Sequence, residues 1–83
     1  MAYSNRGISY DNMDQYPRVI EDFDKAIELY PDTAFSYTDR GVSYGKLGQY
    51  QQAIEDFDKA IQLQPGDAAA YYNRGLVYGH LGH

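Results

Sequence analysis

His80 and His83 are the residues whose type and spacing come nearest to a metal site. They lie three positions apart, so a helix would place both imidazoles on one face, about one turn from each other. A zinc site needs further ligands from the protein, and the chain has no cysteine. Two histidines alone do not complete such a site. We therefore expect no metal and no cofactor.

Clustered carboxylates are the second group that could do chemistry. Asp11 and Asp14 lie in a short polar stretch, which lacks the 12-residue loop with a central glycine and a final glutamate that binds calcium. Glu21 and Lys25 have the i,i+4 spacing of an exposed helical ion pair. Six of the 12 acidic residues form two equivalent triplets: Glu21, Asp22, Asp24 and Glu55, Asp56, Asp58. Since the sequence has neither a phosphate-binding glycine loop nor a nucleophile elbow, it predicts no catalytic residue and no enzymatic activity.

Composition narrows the choice of partner. The 83 residues carry a net charge of −5, which disfavours nucleic acid because phosphates attract patches of lysine and arginine. No stretch approaches the roughly 20 apolar residues that cross a bilayer, and the N-terminus does not read as a signal peptide. With no cysteine to form disulfides, the expected location is cytoplasmic. The expected partner is a protein or peptide, with no nucleic acid and no membrane.

One eight-residue segment, IEDFDKAI, occurs twice, at 20–27 and again at 54–61. The offset of 34 residues also relates other positions, and some of them recur three times. The residues that recur at this offset in all three copies are Tyr3, Tyr37, Tyr71; Arg6, Arg40, Arg74; Gly7, Gly41, Gly75; and Tyr10, Tyr44, Tyr78. The sequence is therefore a tandem repeat, which fixes the fold before any single motif does.

Each complete copy contains two helical patterns. Tyr16, Ile20, Phe23 and Ile27 step by four, three and four, as the apolar stripe of an amphipathic helix does. Ala34, Tyr37, Gly41 and Tyr44 step by three, four and three, which is also helical spacing. The pattern predicts five helices, over residues 2–13, 17–30, 34–46, 51–63 and 68–81. The expected domain is one all-α unit that spans 1–83, with repeat one at 1–33, repeat two at 34–67 and a half repeat at 68–83.

The helix boundaries follow from local signals. Pro17 suits the first position of a helix, whereas Pro31 and its equivalent Pro65 end one. Thr33 and Asp67 suit N-caps, because their side-chain oxygens can accept from free N–H groups. Gly48 supplies the positive φ that often terminates a helix. Asp14 replaces that glycine in copy one, where we still expect a turn.

This 34-residue helix-turn-helix unit resembles the tetratricopeptide repeat. The residues of copy two that carry the resemblance are Tyr37, Gly41, Tyr44, Ala53, Phe57, Ala60 and Pro65. Copy one matches at Tyr3, Gly7, Tyr10, Phe23, Ala26 and Pro31, but has Val19 in place of Ala53. Copy three matches at Tyr71, Gly75 and Tyr78. The resemblance covers essentially the whole chain, as about two and a half repeats. It implies an α-solenoid of stacked helical hairpins.

Arginine stands where the family commonly has leucine, at Arg6, Arg40 and Arg74. A charge at a half-buried helix interface needs a partner, and the repeated Asp22 and Asp56 are the natural candidates. We expect structural Arg–Asp pairs, either within a hairpin or between one hairpin and the next helix. The alternative is that these arginines line a ligand groove.

In the resembled family, the concave face built from the first helix of each repeat commonly holds an extended peptide. The resemblance therefore implies a protein-interaction scaffold. The concave-face positions expected to bind a partner are Asn5, Ile8, Asn12, Asp39, Val42, Lys46, Asn73, Leu76 and His80.

Relatives that bind the acidic tails of heat-shock chaperones use lysine, asparagine and arginine on this face. Here Ser4, Ile8, Asp39, Ala69 and Asn73 stand at those sites, and Asp39 would repel a carboxylate. A partly hydrophobic peptide suits Ile8, Val42 and Leu76 better, although these three could equally serve interhelical packing.

The unfinished third repeat raises a second hypothesis. The residues that a further helix would cover, and that we expect to be exposed, are Leu76, Val77 and Leu81. Either the chain is a fragment of a longer array, or another copy completes the repeat by helix exchange or end-to-end stacking. Self-assembly into a homo-oligomer is thus the alternative to peptide binding.

Overall fold

A computed structural model describes the backbone of residues 2–82 and the side chains of residues 15–82. The fold is all-α. It has four helices: α1 at Ala2–Leu29, α2 at Ala34–Lys46, α3 at Tyr50–Leu63 and α4 at Ala68–Leu81. Each helix packs against the next along the chain, the α2–α3 pair has the most extensive interface, and α2 also touches α4. The expected bounds of α2, α3 and α4 agree with the structure to within one residue.

The expectation of five helices is wrong, because α1 runs without a break through the predicted turn. Pro17 lies inside this helix and not at its first position. It removes one backbone hydrogen bond, at a cost of about 3 kcal/mol. Asp14 stands where copy two has a glycine, so copy one lacks the residue that favours the turn, although this difference alone does not outweigh the cost of Pro17 in the helix. A left-handed conformation there would cost a residue with a side chain about 1–2 kcal/mol.

The turn between α2 and α3 shows what copy one lacks. Gly48 has φ +80°, and its N–H donates to the carbonyl of Gly45 at 3.0 Å, while the N–H of Gln49 donates to the carbonyl of Tyr44 at 2.9 Å. These two bonds make the Schellman motif that ends many helices at a glycine. As a result, α3 folds back against α2.

The two predicted N-caps behave differently. Asp67 accepts a hydrogen bond from the backbone N–H of Ala70 at 3.1 Å and a second one from the hydroxyl of Thr38 at 2.8 Å. It therefore starts α4 and ties that helix to α2. Thr33 precedes α2 but makes no side-chain cap hydrogen bond. α1 and α3 end at Leu29 and Leu63, two residues before each proline.

The core lies among α2, α3 and α4. Its buried hydrophobic residues are Ala34, Tyr37, Ala53, Ile54, Phe57, Ala60, Ala70 and Val77. Phe57 is the largest fully buried side chain among the described residues, at 1% exposure. Burying a side chain of this size contributes about 1.5–3 kcal/mol. The second repeat thus supplies most of the apolar packing.

Gly41 makes the burial of Phe57 possible. A Cβ placed on Gly41 would lie 2.6 Å from Cε1 of the Phe57 ring and 2.9 Å from its Cδ1. Real Cβ atoms do not approach a carbon so closely, so the glycine lets the ring pack directly on the backbone of α2. The helical cost of a glycine, up to about 1 kcal/mol relative to alanine, is offset by this contact.

The equivalent surface of α4 is uncovered. A Cβ on Gly75 would meet none of the described residues within 4 Å. Tyr71 is 47% exposed, whereas its equivalent Tyr37 is 9% exposed. The same residue types at the same spacing are therefore core in α2 and surface in α4, because no described helix packs over this side of α4.

Alanine substitutions at Gly41 and Gly75 should change stability in opposite directions. Gly41→Ala should lower the free energy of unfolding by about 1–3 kcal/mol, because Phe57 is enclosed and must shift. Gly75→Ala should raise it by about 0.5–1 kcal/mol, because alanine favours the helix and the new methyl group enters open space. Urea unfolding followed by circular dichroism, in dilute solution, measures both.

Gly79→Ala is the matched control, since a Cβ there also meets nothing within 4 Å. It should stabilise the chain as Gly75→Ala does. Equal effects of Gly41→Ala and Gly75→Ala would contradict the close contact between Phe57 and Gly41.

Candidate functional site

A cavity of about 110 Å³ opens among α2, α3 and α4. Five of the side chains expected on the concave face line it: Val42, Lys46, Asn73, Leu76 and His80. The other lining residues are Gly41, Gly45, Tyr50, Phe57 and Val77. The cavity is thus apolar at its floor, where Phe57 and Val77 are buried, and carries an ammonium group, an amide and an imidazole at its edge.

Helical spacing brings these side chains together. Val42 and Lys46 are four apart on α2, while Asn73, Leu76 and His80 follow at three and four on α4, so each set shares one helix face. The imidazole of His80 stacks on the Tyr50 ring, with centroids 5.5 Å apart and planes 2° from parallel. The hydrogen bond from Nδ2 of Asn73 to the carbonyl of Ala69, at 2.8 Å, fixes that amide at the edge.

Asp39 does not line this cavity. It is half-buried on α2, one turn before Val42. Burial raises the pKa of its carboxyl, and the neighbouring charge of Asp67 raises it further. The ionised form of Asp39 is therefore disfavoured in the folded chain. The predicted positions Asn5, Ile8 and Asn12 have side chains outside the described residues, as do Tyr3, Arg6, Gly7 and Tyr10, and so does His83.

The prediction that Val77 is exposed is wrong. Val77 is buried, at 5% exposure, and a Cβ on Gly45 of α2 would lie 3.7 Å from its Cγ2. Val77 therefore lies on the side of α4 that packs against α2. Leu76 and Leu81 are exposed, and Leu76 also lines the cavity. The open face of α4 is instead formed by Tyr71, Gly75 and Tyr78.

Arg40 joins three helices through its guanidinium group. Its Nε and Nη2 donate to the two carboxylate oxygens of Asp56 on α3, at 2.8 and 2.7 Å, and Nη1 donates to Asp24 on α1 at 2.8 Å. The fork to Asp56 is the bidentate geometry that is strongest for such pairs. The hydrogen bond to Asp56 is the main cause of the raised pKa of Arg40. The cation therefore serves packing and does not face the cavity.

Two tyrosine rings flank each described repeat arginine. The guanidinium carbon of Arg40 lies 5.6 Å from the Tyr37 ring centroid and 5.9 Å from that of Tyr44, within the range of cation–π attraction. Arg74 has the same arrangement with Tyr71 and Tyr78, at 5.3 and 6.0 Å. The tyrosines thus accompany the arginine that replaces the family's leucine.

Arg74 makes only half of this network. Its Nη1 donates to Asp58 on α3 at 2.7 Å, as Arg40 donates to Asp24 on α1. Among the described residues, however, no carboxylate takes the place that Asp56 has beside Arg40. The pairing of Asp24 and Asp58 with arginine was not predicted from the sequence, which suggested Asp22 and Asp56 as the partners. The signal is the separation of 16 residues that both pairs share.

The described side chains form no metal site. Within residues 15–82, no three histidine or carboxylate side chains lie close enough together to hold a metal ion. None of the described helices is both long and apolar enough to cross a membrane.

Comparison with known families decides the identity of the repeat. Residues 1–33 and 34–67 match one family model described as tetratricopeptide repeat, and residues 57–83 match a second model with the same description. The chain belongs to the tetratricopeptide repeat family. The resemblance inferred from the tyrosine, glycine and phenylalanine pattern is therefore confirmed.

The fold of this tetratricopeptide repeat chain is similar to a solved structure of the second TPR domain of Spaghetti (RPAP3) bound to the HSP90 peptide SRMEEVD. The TM-score is 0.80 and the identity 28%, over 94% of this chain and 72% of that one. No curated protein sequence gave a significant match. Tetratricopeptide repeat proteins are in general non-catalytic scaffolds that bind other proteins.

Removing the guanidinium of Arg40 should cost much more stability than removing that of Arg74. Arg40→Leu leaves Asp56 buried and unpaired, which should lower the free energy of unfolding by about 3 kcal/mol. Arg74→Leu breaks a pair whose carboxylate is half exposed, so the change should stay below about 1 kcal/mol. Urea titrations of both variants measure the difference.

The double variant Arg40→Leu with Asp56→Leu should recover much of the loss, because it leaves no unpaired charge. Similar losses at Arg40 and Arg74, with no recovery in the double variant, would contradict the structural role of the Arg40–Asp56 pair.

Asp39→Asn should stabilise the chain at neutral pH and have little effect in acid. Because the folded pKa of Asp39 is raised above the ordinary aspartate value of 3.8, its charge opposes folding as pH rises through that pKa. The penalty is complete above the folded pKa and absent well below 3.8. The melting temperature of the variant should therefore exceed that of the parent at pH 7, and the two should converge near pH 3.

Asp32→Asn, at an exposed position, controls for the loss of one negative charge. A stabilisation by Asp39→Asn that persists unchanged at pH 3 would contradict the assigned cause.

Proposed function

We propose that this chain is a non-catalytic interaction module that binds an extended, partly apolar peptide along the face formed by α2 and α4. The main support is the meeting of Val42, Lys46, Asn73, Leu76 and His80 around one cavity. Ligand sites are typically concave, apolar at the floor and lined by a few polar groups that fix orientation.

Exposed apolar surface at the cavity favours an apolar side chain in the ligand. Leu76 of α4 is 49% exposed, and Val42 of α2 lines the same cavity. Covering Leu76 and Val42 would remove apolar area from water, at roughly 25 cal/mol per Å² before the costs of association. Lys46 and Asn73 can bind backbone carbonyls or amides of an extended segment.

Charge on this chain disfavours an acidic tail as the ligand. The structural neighbour binds the HSP90 peptide SRMEEVD, which has two glutamates, an aspartate and a terminal carboxylate. In this chain Asp39 and the net charge of −5 would repel those groups, and Lys46 is the one lysine or arginine among the cavity residues. The preferred peptide is therefore neutral or basic.

Fluorescence anisotropy with labelled heptapeptides tests this function. The probes are peptides with leucine or phenylalanine at alternate positions and one lysine, since alternate side chains of an extended segment point to the same side, together with SRMEEVD. We expect the apolar peptides to bind at least tenfold more tightly than SRMEEVD. Leu76→Asp should weaken their binding by at least tenfold, because it places a charge at the cavity edge.

Tyr72→Asp is the matched control, because Tyr72 is an exposed residue of α4 that does not line the cavity. It should leave affinity within about twofold. Tighter binding of SRMEEVD than of every apolar peptide, or equal losses in the two variants, would contradict the proposal.

A further inference from the structure

The α4 face, formed by Tyr71, Gly75 and Tyr78, has the same residue types as the surface of α2 on which Phe57 of α3 packs. In α2 the equivalent residues enclose Phe57, whose ring lies on the backbone of Gly41. In α4 none of the described atoms lies within 4 Å of a Cβ placed on Gly75. The α4 face is therefore shaped for a helix that carries a phenylalanine in the position of Phe57.

The α1 face, formed by Asp22, Phe23 and Ala26, offers such a helix. It lies in the segment 20–27, whose eight residues are identical to 54–61 of α3. Asp22 is exposed, and Phe23 and Ala26 are half-buried, whereas their counterparts in α3 are all buried. Phe23 makes an edge contact with Phe35 of α2, at 6.3 Å between centroids and 70° between planes. Because Phe23 is still only half-buried, the described residues leave part of the α1 face uncovered.

The charges of the two faces are complementary. Arg74 has Asp58, but no carboxylate of residues 15–82 takes the position that Asp56 holds beside Arg40. Asp22 is the sequence equivalent of Asp56, and it has no hydrogen bond or ion pair with any of the side chains described. One face thus presents a half-paired guanidinium, and the other an exposed carboxylate at the matching position.

Within the continuous α1, the backbone at position 6 lies far from Asp22. Positions 6 and 22 are then about 24 Å apart along the helix axis, at 1.5 Å per residue. A long α1 therefore leaves the carboxylate of Asp22 available to a cation from outside the chain.

From these observations we propose that the α4 face of one copy binds the α1 face of a second copy, as α2 binds α3 within the chain. Phe23 of the second copy packs on the backbone at Gly75, and its Asp22 completes the carboxylate pair around Arg74. The contact is heterologous, so each copy keeps one free face. The product is a ring if the rotation closes and an open filament if it does not.

Complementary charge reversal tests this contact in the 83-residue chain. Arg74→Asp should place a carboxylate opposite Asp22, and Asp22→Arg should place a guanidinium opposite Arg74. Each variant alone should associate at least tenfold more weakly than the parent, because like charges meet at the interface. In an equimolar mixture each contact again joins opposite charges, so assembly should return.

Light scattering over a dilution series reads the result. The parent mass should rise above 9.5 kDa with concentration, each variant should stay near it, and the mixture should follow the parent. Lys25→Asp and Glu28→Arg are the matched controls, because they reverse exposed charges on α1 that lie outside the α1 face. A parent that stays monomeric at every concentration would overturn the proposal, as would a mixture that fails to assemble.

A second pair of variants tests the packing independently of charge. Gly75→Ala should keep the monomer folded but weaken association at least tenfold, since a methyl group there would meet Phe23 of the second copy. Gly79→Ala makes the same change one turn later. It should leave association unchanged, because the equivalent Gly45 has only an ordinary contact, with Val77 at 3.7 Å. Equal association of Gly75→Ala and the parent would place any self-contact on another face.

This proposal is separable from peptide binding. The charge and glycine variants do not alter Val42, Lys46 or Leu76, and the peptide assay can be run below the association concentration. Loss of assembly with peptide binding intact would leave both proposals standing, whereas peptide binding by a strictly monomeric parent would refute the self-contact alone.

Discussion

The contact between the Phe57 ring and the backbone at Gly41 is the constraint on which the rest of this fold depends. It needs a glycine at one position of α2 and a phenylalanine at one position of α3, and it leaves no room for a side chain on the glycine. The helices can then approach closely enough for Arg40 to reach both oxygens of Asp56. Apolar packing and the buried ion pair therefore support each other, which satisfies the requirement that a buried charge be paired.

The repeated segment shows that neighbours decide burial. IEDFDKAI is core in α3, where α2 covers it, and half-open in α1, where α1 continues as one helix and does not fold back. In the same way, tyrosine, arginine, glycine and tyrosine form an interface in α2 and a surface in α4. A repeat unit cannot bury its own hydrophobic face alone, and each uncovered copy keeps the shape and charge of the interface that it could form.

Local signals made much of the fold predictable. Pro31, Pro65, Gly48 and Asp67 act on their own backbone or that of near neighbours, so the bounds of α2, α3 and α4 followed from the sequence. The prediction of a fifth helix was wrong, because it assumed a turn at Asp14 like the one that Gly48 makes with its positive φ.

Contacts between distant helices were harder to predict. Apolar periodicity alone did not show which side of α4 faces the body of the fold, and so misplaced Val77. The pairing of Arg40 with Asp24 links residues 16 positions apart across two helices and was missed. Among the predicted concave-face residues, Val42 and Leu76 meet at the cavity because the repeat places them in equivalent helices, whereas Asp39 lies beside it.

Residue-resolved amide hydrogen exchange on dilute monomer tests the central claim most directly, namely that the covered copy of the repeat interface holds the fold together. Local opening free energies report how firmly each element is held. The account predicts the slowest exchange around Gly41 in α2 and Phe57 in α3, with much faster exchange around Gly75 in α4, although the two glycine positions are surrounded by equivalent residues. Equal protection at Gly41 and Gly75 would contradict it, because stability would then come from the helices themselves and not from the interface that covers one of them.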